Sequence, residues 1–140
     1  QFYLFDQFYD SLKFLATATP IKPVIRMANY AVSAGHDAQI LTARSHFNCR
    51  TTLNMALETM DIPLIPINCA GFAPKETIPE KKVFMLEKIV NDKADTVILY
   101  EDNVTNLNAM TVWLQNRGKR VVGHLVDGSG PYTMITTSIT

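Results

Sequence analysis

Glu101 and Asp102 are adjacent carboxylates at the end of an apolar run, Thr96-Val97-Ile98-Leu99-Tyr100. Asn106 lies four residues past Asp102, where a helical pattern of apolar residues begins. A continuous apolar run of this length reads as a buried parallel strand. Two carboxylates side by side at such a strand end are costly unless their charge is compensated. A hard divalent cation such as Mg²⁺ compensates it, taking oxygen ligands and keeping several waters. The alternative is that both acids open a solvated loop and cap the next helix. Thr42 ends a second apolar strand, and Lys81 and Lys82 fall near the start of another helix. Lysines in a first turn oppose the helix dipole, so an anion elsewhere is expected to hold one of them; otherwise they are a solvated pair. A hydroxyl, an ammonium and a carboxylate pair around one crevice suit a phosphoryl group bound with a metal ion.

Those groups lie far apart in the chain, so the elements must bring them together. Pro20 and Pro23 suit a helix start. Val24, Ile25, Ala28, Ala31 and Val32 then follow the spacing of one buried helical face, and Gly35 suits the position after its end. Asp37–Thr42 reads as a strand, Ala43-Arg44-Ser45 as a turn with Ser45 a candidate N-cap, and Cys49, Leu53, Ala56, Leu57 and Met60 as the stripe of a second helix. A short strand over Leu64–Ile67 is expected at a sheet edge, because Pro66 cannot donate to a ladder. Thr77-Ile78-Pro79-Glu80 has capping-box spacing and opens a third helix, with Val83, Leu86 and Val90 inward. After the Thr96–Tyr100 strand comes a fourth helix with Leu107, Met110 and Leu114 inward, ended by Gly118, and then a strand over Val121–Val126. Strands alternating with helices predict an α/β fold, a Rossmann-like three-layer α/β/α arrangement around a mostly parallel sheet. In a parallel sheet all strands end along one edge, so Thr42 and Glu101/Asp102 share a rim that Lys82 can reach.

A chain of 140 residues is expected to form one domain with a single core. Thirteen basic and thirteen acidic side chains balance, which gives no global field for nucleic acid or an acidic membrane surface. No apolar run approaches the roughly 20 residues of a membrane span. Cys49 and Cys69 have no metal-motif spacing and read as reduced core thiols of a cytoplasmic protein. The chain opens on Gln1 rather than Met, which reads as a cut or processed end.

The set resembles the haloacid dehalogenase superfamily of phosphohydrolases. Gln39-Ile40-Leu41-Thr42 matches its second motif, an apolar strand ending in Ser or Thr. Lys82, or less well Lys81, matches its third, a lysine near a helix start about twenty residues ahead of the acids. Glu101, Asp102 and Asn106 match its fourth. The stretch from Pro23 to Arg44 is most similar to small phage-type members, the phosphatase domain of bacteriophage polynucleotide kinase among them. The resemblance covers residues 20 to 127. It implies Mg²⁺ held by Asp102 and Glu101, a transferring phosphoryl group held by Thr42 and Lys82, and an aspartyl-phosphate intermediate. It implies a small phosphorylated substrate, with nucleotide or polynucleotide ends favoured by the phage-like pattern.

The family's nucleophile is the first aspartate of an Asp-x-Asp motif after the central strand, and no Asp-x-Asp occurs in this chain. Asp6 follows the apolar Phe2–Phe5 run, but Phe8 stands where the family's general acid would be. In one reading the motif-one strand lies ahead of Gln1 and Phe2–Tyr9 is a flap; this is the favoured expectation. In the other, Phe2–Phe5 is the central strand and Asp6 a relic. The chain is then an inactive module of the same fold, serving a larger assembly. Something must fill the slot between the strands ending at Thr42 and Glu101, because two bare strand edges leave rows of unpaired backbone groups. Arg44, next to Thr42, is a candidate for binding phosphate or nucleotide bidentately, or a surface salt-bridge partner. His46 could touch substrate or sit on a helix surface; His36 and His124 read as structural, Trp113 and the phenylalanines as core, and Lys75 as a loop residue able to overhang the site.

Overall fold

The long apolar runs become strands buried on both faces, as a parallel sheet requires. In the computed structural model the described residues are 2–5, 22–43, 65–127 and 134–139. In chain order they form β1 (Phe2–Phe5), α1 (Lys22–Ser33), β2 (Asp37–Thr42), β3 (Ile67–Cys69), a 3₁₀ turn (Ala70–Phe72), α2 (Ile78–Ile89), β4 (Thr96–Glu101), α3 (Val104–Asn116), β5 (Arg120–Asp127) and β6 (Met134–Ile139). The strand order is β3-β2-β1-β4-β5-β6. The first five strands run parallel and β6 pairs antiparallel with β5. The α/β expectation holds: this is a mostly parallel, Rossmann-like sheet.

Alternation along the strands divides the core in two. Tyr3, Phe5, Ala38, Ile40, Ile98 and Tyr100 pack on the face that α1 covers with Val24, Ile25, Ala28 and Ala31. Phe2, Leu4, Leu41, Val97, Leu99 and Val121 pack on the opposite face against Leu86 of α2 and Leu107, Met110 and Leu114 of α3. Helices therefore cover both faces. α1 leads away from β1 in one direction along the sheet and α3 leads away from β4 in the other, and right-handed crossovers put such helices on opposite faces.

The central slot belongs to β1. Phe2–Phe5 pairs with β2 on one side and β4 on the other, with Phe5 level with Ile40 and Tyr100. This corrects the favoured sequence expectation, in which these residues were a flap and the slot belonged to a strand ahead of Gln1. The physical reason is that all four side chains are buried, divided between the two faces.

Helix ends follow local chemistry. Thr77 caps α2: its side chain accepts from the Glu80 N–H at 3.4 Å and its hydroxyl donates to Glu80 Oε1 at 2.8 Å. Asn103 caps α3 by accepting from the Asn106 N–H at 3.0 Å. Gly35 and Gly118 both have φ of 78°, and the residue after each donates back into the helix, His36 to Ala31 and Lys119 to Leu114. That is the Schellman arrangement, which needs a left-handed residue at this position.

Three expectations shift. The strand expected over Leu64–Ile67 is Ile67–Cys69, still at the sheet edge, and Pro66 contributes only a carbonyl, accepting from the Ile40 N–H at 2.8 Å. Asn68 pins it to β2, donating to Gln39 Oε1 at 2.9 Å and to the Ile40 carbonyl at 3.1 Å. Val32, expected inward, is 43% exposed, because it lies in the last turn where α1 leaves the sheet for the Gly35 turn. β6 was not expected at all. The helix expected around Cys49–Met60 and the aromatic stretch after Phe5 lie outside the described residues.

Candidate functional site

Thr42, Glu101 and Asp102 come together at the carboxyl edge because β2 and β4 run parallel on either side of β1. Counted from the Ile40–Phe5–Tyr100 row, Thr42 and Asp102 are both two residues further on, at the same level. Their backbones stand two strand spacings apart, about 10 Å. The strand order reverses between β1 and β4, one connection leading to β2 and the next to β5. In open α/β sheets ligands bind in the crevice at such a point.

Lys82 is the residue of the lysine pair that enters this site. Its side chain is 1% exposed and its Nζ donates to Glu101 Oε1, itself on a residue that is 0% exposed. Lys82 lies four residues before the core residue Leu86, so helical spacing turns both toward the sheet. Lys81 falls to the side, its Nζ 3.4 Å from the Gly71 carbonyl. The anion expected to hold one lysine is thus Glu101. Glu101 shares the side of β4 used by Val97 and Leu99, the side facing α2 and α3. Its other oxygen, Oε2, accepts from the backbone N–H of Asp102 at 2.8 Å and of Asn103 at 3.3 Å.

The two adjacent acids therefore differ. Glu101 is wholly buried and bound to Lys82, while Asp102 is exposed at the mouth. Lys82 lines, with Leu4, Phe5, Leu41, Leu99, Tyr100 and Met110, a cavity of ≈ 10 Å³. That is about the room of one water, so a ligand would sit at the mouth and not inside this compartment. Thr42 is 7% exposed. Alternation gives it the α1 side of β2, with Ala38 and Ile40. Asn106 is buried in the first turn of α3.

Just beneath the edge an aromatic row crosses the sheet. Phe5 stacks on Tyr100 at 4.8 Å between ring centroids, and Tyr100 on His124 at 4.4 Å, both at 15° between planes. Burial, with Tyr3 nearby, pushes the Tyr100 phenol up to about 12. Burial lowers His124 below its ordinary value, so its ring favours the neutral form. His36 also packs as a structural ring, 5.5 Å from Tyr3.

Other candidates disperse. Lys75 does not overhang the edge; its Nζ is 5.7 Å from the Phe84 ring, along a groove also lined by Pro79, Glu80, Glu87 and Ala109. Phe84 and Trp113, expected as core, are only partly buried: Lys88 approaches the Phe84 ring at 4.9 Å and Arg117 the Trp113 ring at 4.3 Å. Cys69 is a free thiol on β3. Arg44, His46, Cys49 and Asp6 lie outside the described residues.

Mg²⁺ is usually held by one or two carboxylates, with waters and phosphate oxygens completing six positions. Asp102, an exposed residue at this edge, has the carboxylate chemistry that such an open site uses. Among the described residues no group of three or more His, Cys, Asp or Glu side chains could form a closed protein cage. No family model, curated protein or solved structure matches this chain. Among the described residues no helix is long and apolar enough to cross a membrane.

The pairing of Lys82 with Glu101 was not anticipated, yet two periodicities carried it. Lys82 is four residues from Leu86, and Glu101 is two from Leu99 and four from Val97. Each spacing marks the inward face of its element. The aromatic row was equally unforeseen, because it depends on strand register and not on spacing within one strand.

Proposed function

We propose that the chain is a Mg²⁺-dependent phosphomonoester hydrolase of the haloacid dehalogenase type, working at the carboxyl edge above β1. The observation that supports this most is the buried Lys82–Glu101 pair at the end of β4, beside the central strand where the strand order reverses. A buried ammonium at a ligand crevice offers fixed positive charge to a phosphoryl oxygen. The Thr42 hydroxyl donates to a second oxygen from the far side of β1. Arg44 follows Thr42 in the sequence and supplies a guanidinium for a further phosphate or a nucleotide. Asp102 is the carboxylate for Mg²⁺, which when bound offsets phosphate charge. Asp6 is the residue that follows β1 in the sequence, the place from which a family nucleophile acts. Its carboxylate oxygen would bond to phosphorus as the bond to the leaving oxygen breaks, giving an aspartyl-phosphate that water then hydrolyses. The substrate is a small phosphomonoester, with nucleotide ends as the first class to try. A free Cys69 thiol suits a cytoplasmic setting.

One observation favours a second reading, a phosphate-binding module without turnover: Phe8 stands two residues after Asp6, where the family has its acid. Release of phosphate from para-nitrophenyl phosphate separates the two, because this leaving group departs without a proton. The expected result is Mg²⁺-dependent release, abolished by Asp6→Asn and Asp102→Asn and reduced by Thr42→Val roughly 100-fold, as for loss of one donor to a developing charge. Phosphate binding with no release by the wild-type chain supports the module and ends the hydrolase reading.

A further inference from the structure

We infer that the outward face of α2 pairs with the same face of a second copy of this chain, the two helices lying parallel about a two-fold axis with Phe84 at the seam. Lys82 and Leu86 are the buried residues of α2 and turn it toward the sheet. At 3.6 residues per turn, Phe84 lies on the opposite side, at the centre of the face turned away from the core. Its ring is only partly buried, with the Lys75 and Lys88 ammonium groups 5.7 and 4.9 Å from its centroid. Beside it runs a groove of ≈ 340 Å³ that reaches Ala109 on α3. α3 has no charged residue from Val104 to Asn116, and its Val112 is 55% exposed. An aromatic ring at the centre of such a face, next to an uncharged wall, is the usual anchor of a protein interface.

The charges choose the partner. Helical spacing places Glu80 and Glu87 on one flank of Phe84 and Lys81 and Lys88 on the other. An acidic partner would be repelled by one flank and a basic partner by the other. The glutamates have contacts of their own, Glu80 Oε1 with the Thr77 hydroxyl at 2.8 Å and Glu87 with Arg117 at 3.9 Å, but these are exposed and worth little. A second copy of the helix supplies both signs at once. If the two helices ran antiparallel, the two-fold axis would cross them, and acids would face acids and lysines lysines. When they run parallel, the axis follows the seam and the acidic flank of each meets the basic flank of the other. Glu80 of one copy then stands opposite Lys81 of the other, and Glu87 opposite Lys88, each twice. Electrostatics thus selects one orientation. A helix of 12 residues is about 18 Å long, so the seam is short and the dimer should dissociate at about micromolar concentration.

Sedimentation equilibrium on the whole chain over about 1–100 μM reads the pairing, with circular dichroism checking the fold. The wild type should form a dimer that grows no further, because a two-fold contact closes on itself. Glu87→Lys and Lys88→Glu each turn two attractions into repulsions and should weaken the dimer about tenfold. An equimolar mixture of these two variants should dimerise at least as tightly as the wild type, since each then meets the opposite charge again. Phe84→Ala should weaken the dimer by about tenfold or more; if that variant does not fold, the charge exchange decides alone. A wild type still monomeric at about 100 μM overturns the inference. So does a dimer that none of the three variants weakens, or one that fails to recover when the two charge variants are mixed. Dimers that both charge variants tighten would have antiparallel helices, against the inference. A monomer whose Phe84 amide resonance shifts with oligolysine or oligoglutamate gives this face to another protein and overturns it too.

Discussion

An ammonium 1% exposed and a carboxylate 0% exposed are expensive to bury, and their attraction offsets that cost only when both are present. Stability should therefore respond asymmetrically to their removal. Glu101→Leu alone takes the Glu101 carboxylate away from the buried Lys82 ammonium and should destabilise by about 3–5 kcal/mol, whereas Lys82→Met combined with Glu101→Leu should lie near wild type or above it. Urea unfolding followed by circular dichroism reads both. A loss in the double variant equal to the sum of the two single losses would show that the pair is not coupled. A double variant that is stable but does not bind phosphate would show that the pair is kept for function and not for the fold. The sequence revealed the members of this pair but not their union. Two lysines near a helix start and two acids at a strand end were legible as candidates. Which lysine meets which acid depends on where α2 lies over the sheet.

At the scale of elements, legibility followed the strength of local signals. β2 and β4 announced themselves as apolar runs, α2 by Thr77 and Glu80, and α1 and α3 by the glycines after them. β1 was ambiguous because four aromatic and aliphatic residues fit a strand or a flap until their neighbours are known, and β6 lacks an apolar run. Register also escaped the sequence, and it builds the row of Phe5, Tyr100 and His124 from three strands. That row has a consequence in pH. His124 ordinarily titrates at 6.5, and burial lowers it in the folded chain. The unfolded chain then takes up the proton first as pH falls. The stabilisation from neutral His124 is complete above 6.5 and is lost as pH drops through the lowered folded value. Replacing His124 by Phe keeps a ring to stack on Tyr100 but nothing to titrate. The urea midpoint of the wild type should fall relative to His124→Phe on acidification below pH 6.5, and the two curves should run parallel above it. Parallel curves throughout would mean that His124 is solvated as freely when folded as when unfolded.

For the whole molecule the deciding feature is which segment occupies the middle of the sheet. β1 is only four residues long, yet it joins β2 to β4 and supplies side chains to both halves of the core, Phe2 to the α2–α3 side and Phe5 to the α1 side, each 0% exposed. It also fixes the site, since Thr42 and Asp102 stand on either side of it and Asp6 follows it in the sequence. A flap would carry none of this. Removing a buried phenylalanine ring from a packed core costs about 3–5 kcal/mol, whereas exposed positions stay within about 0.5 kcal/mol. Phe2→Ala and Phe5→Ala should therefore each lower stability by about 3–5 kcal/mol. Because the two rings lie in different halves of the core, their effects should add, to about 6–10 kcal/mol, comparable with the whole stability of a domain this size. The double variant should be unfolded at room temperature, without the cooperative urea transition of the wild type. If both single variants unfold at the wild-type urea concentration, Phe2–Phe5 is not the central strand. Asp6 would then no longer be the residue that follows the central strand in the sequence, and the proposed chemistry would lose its nucleophile.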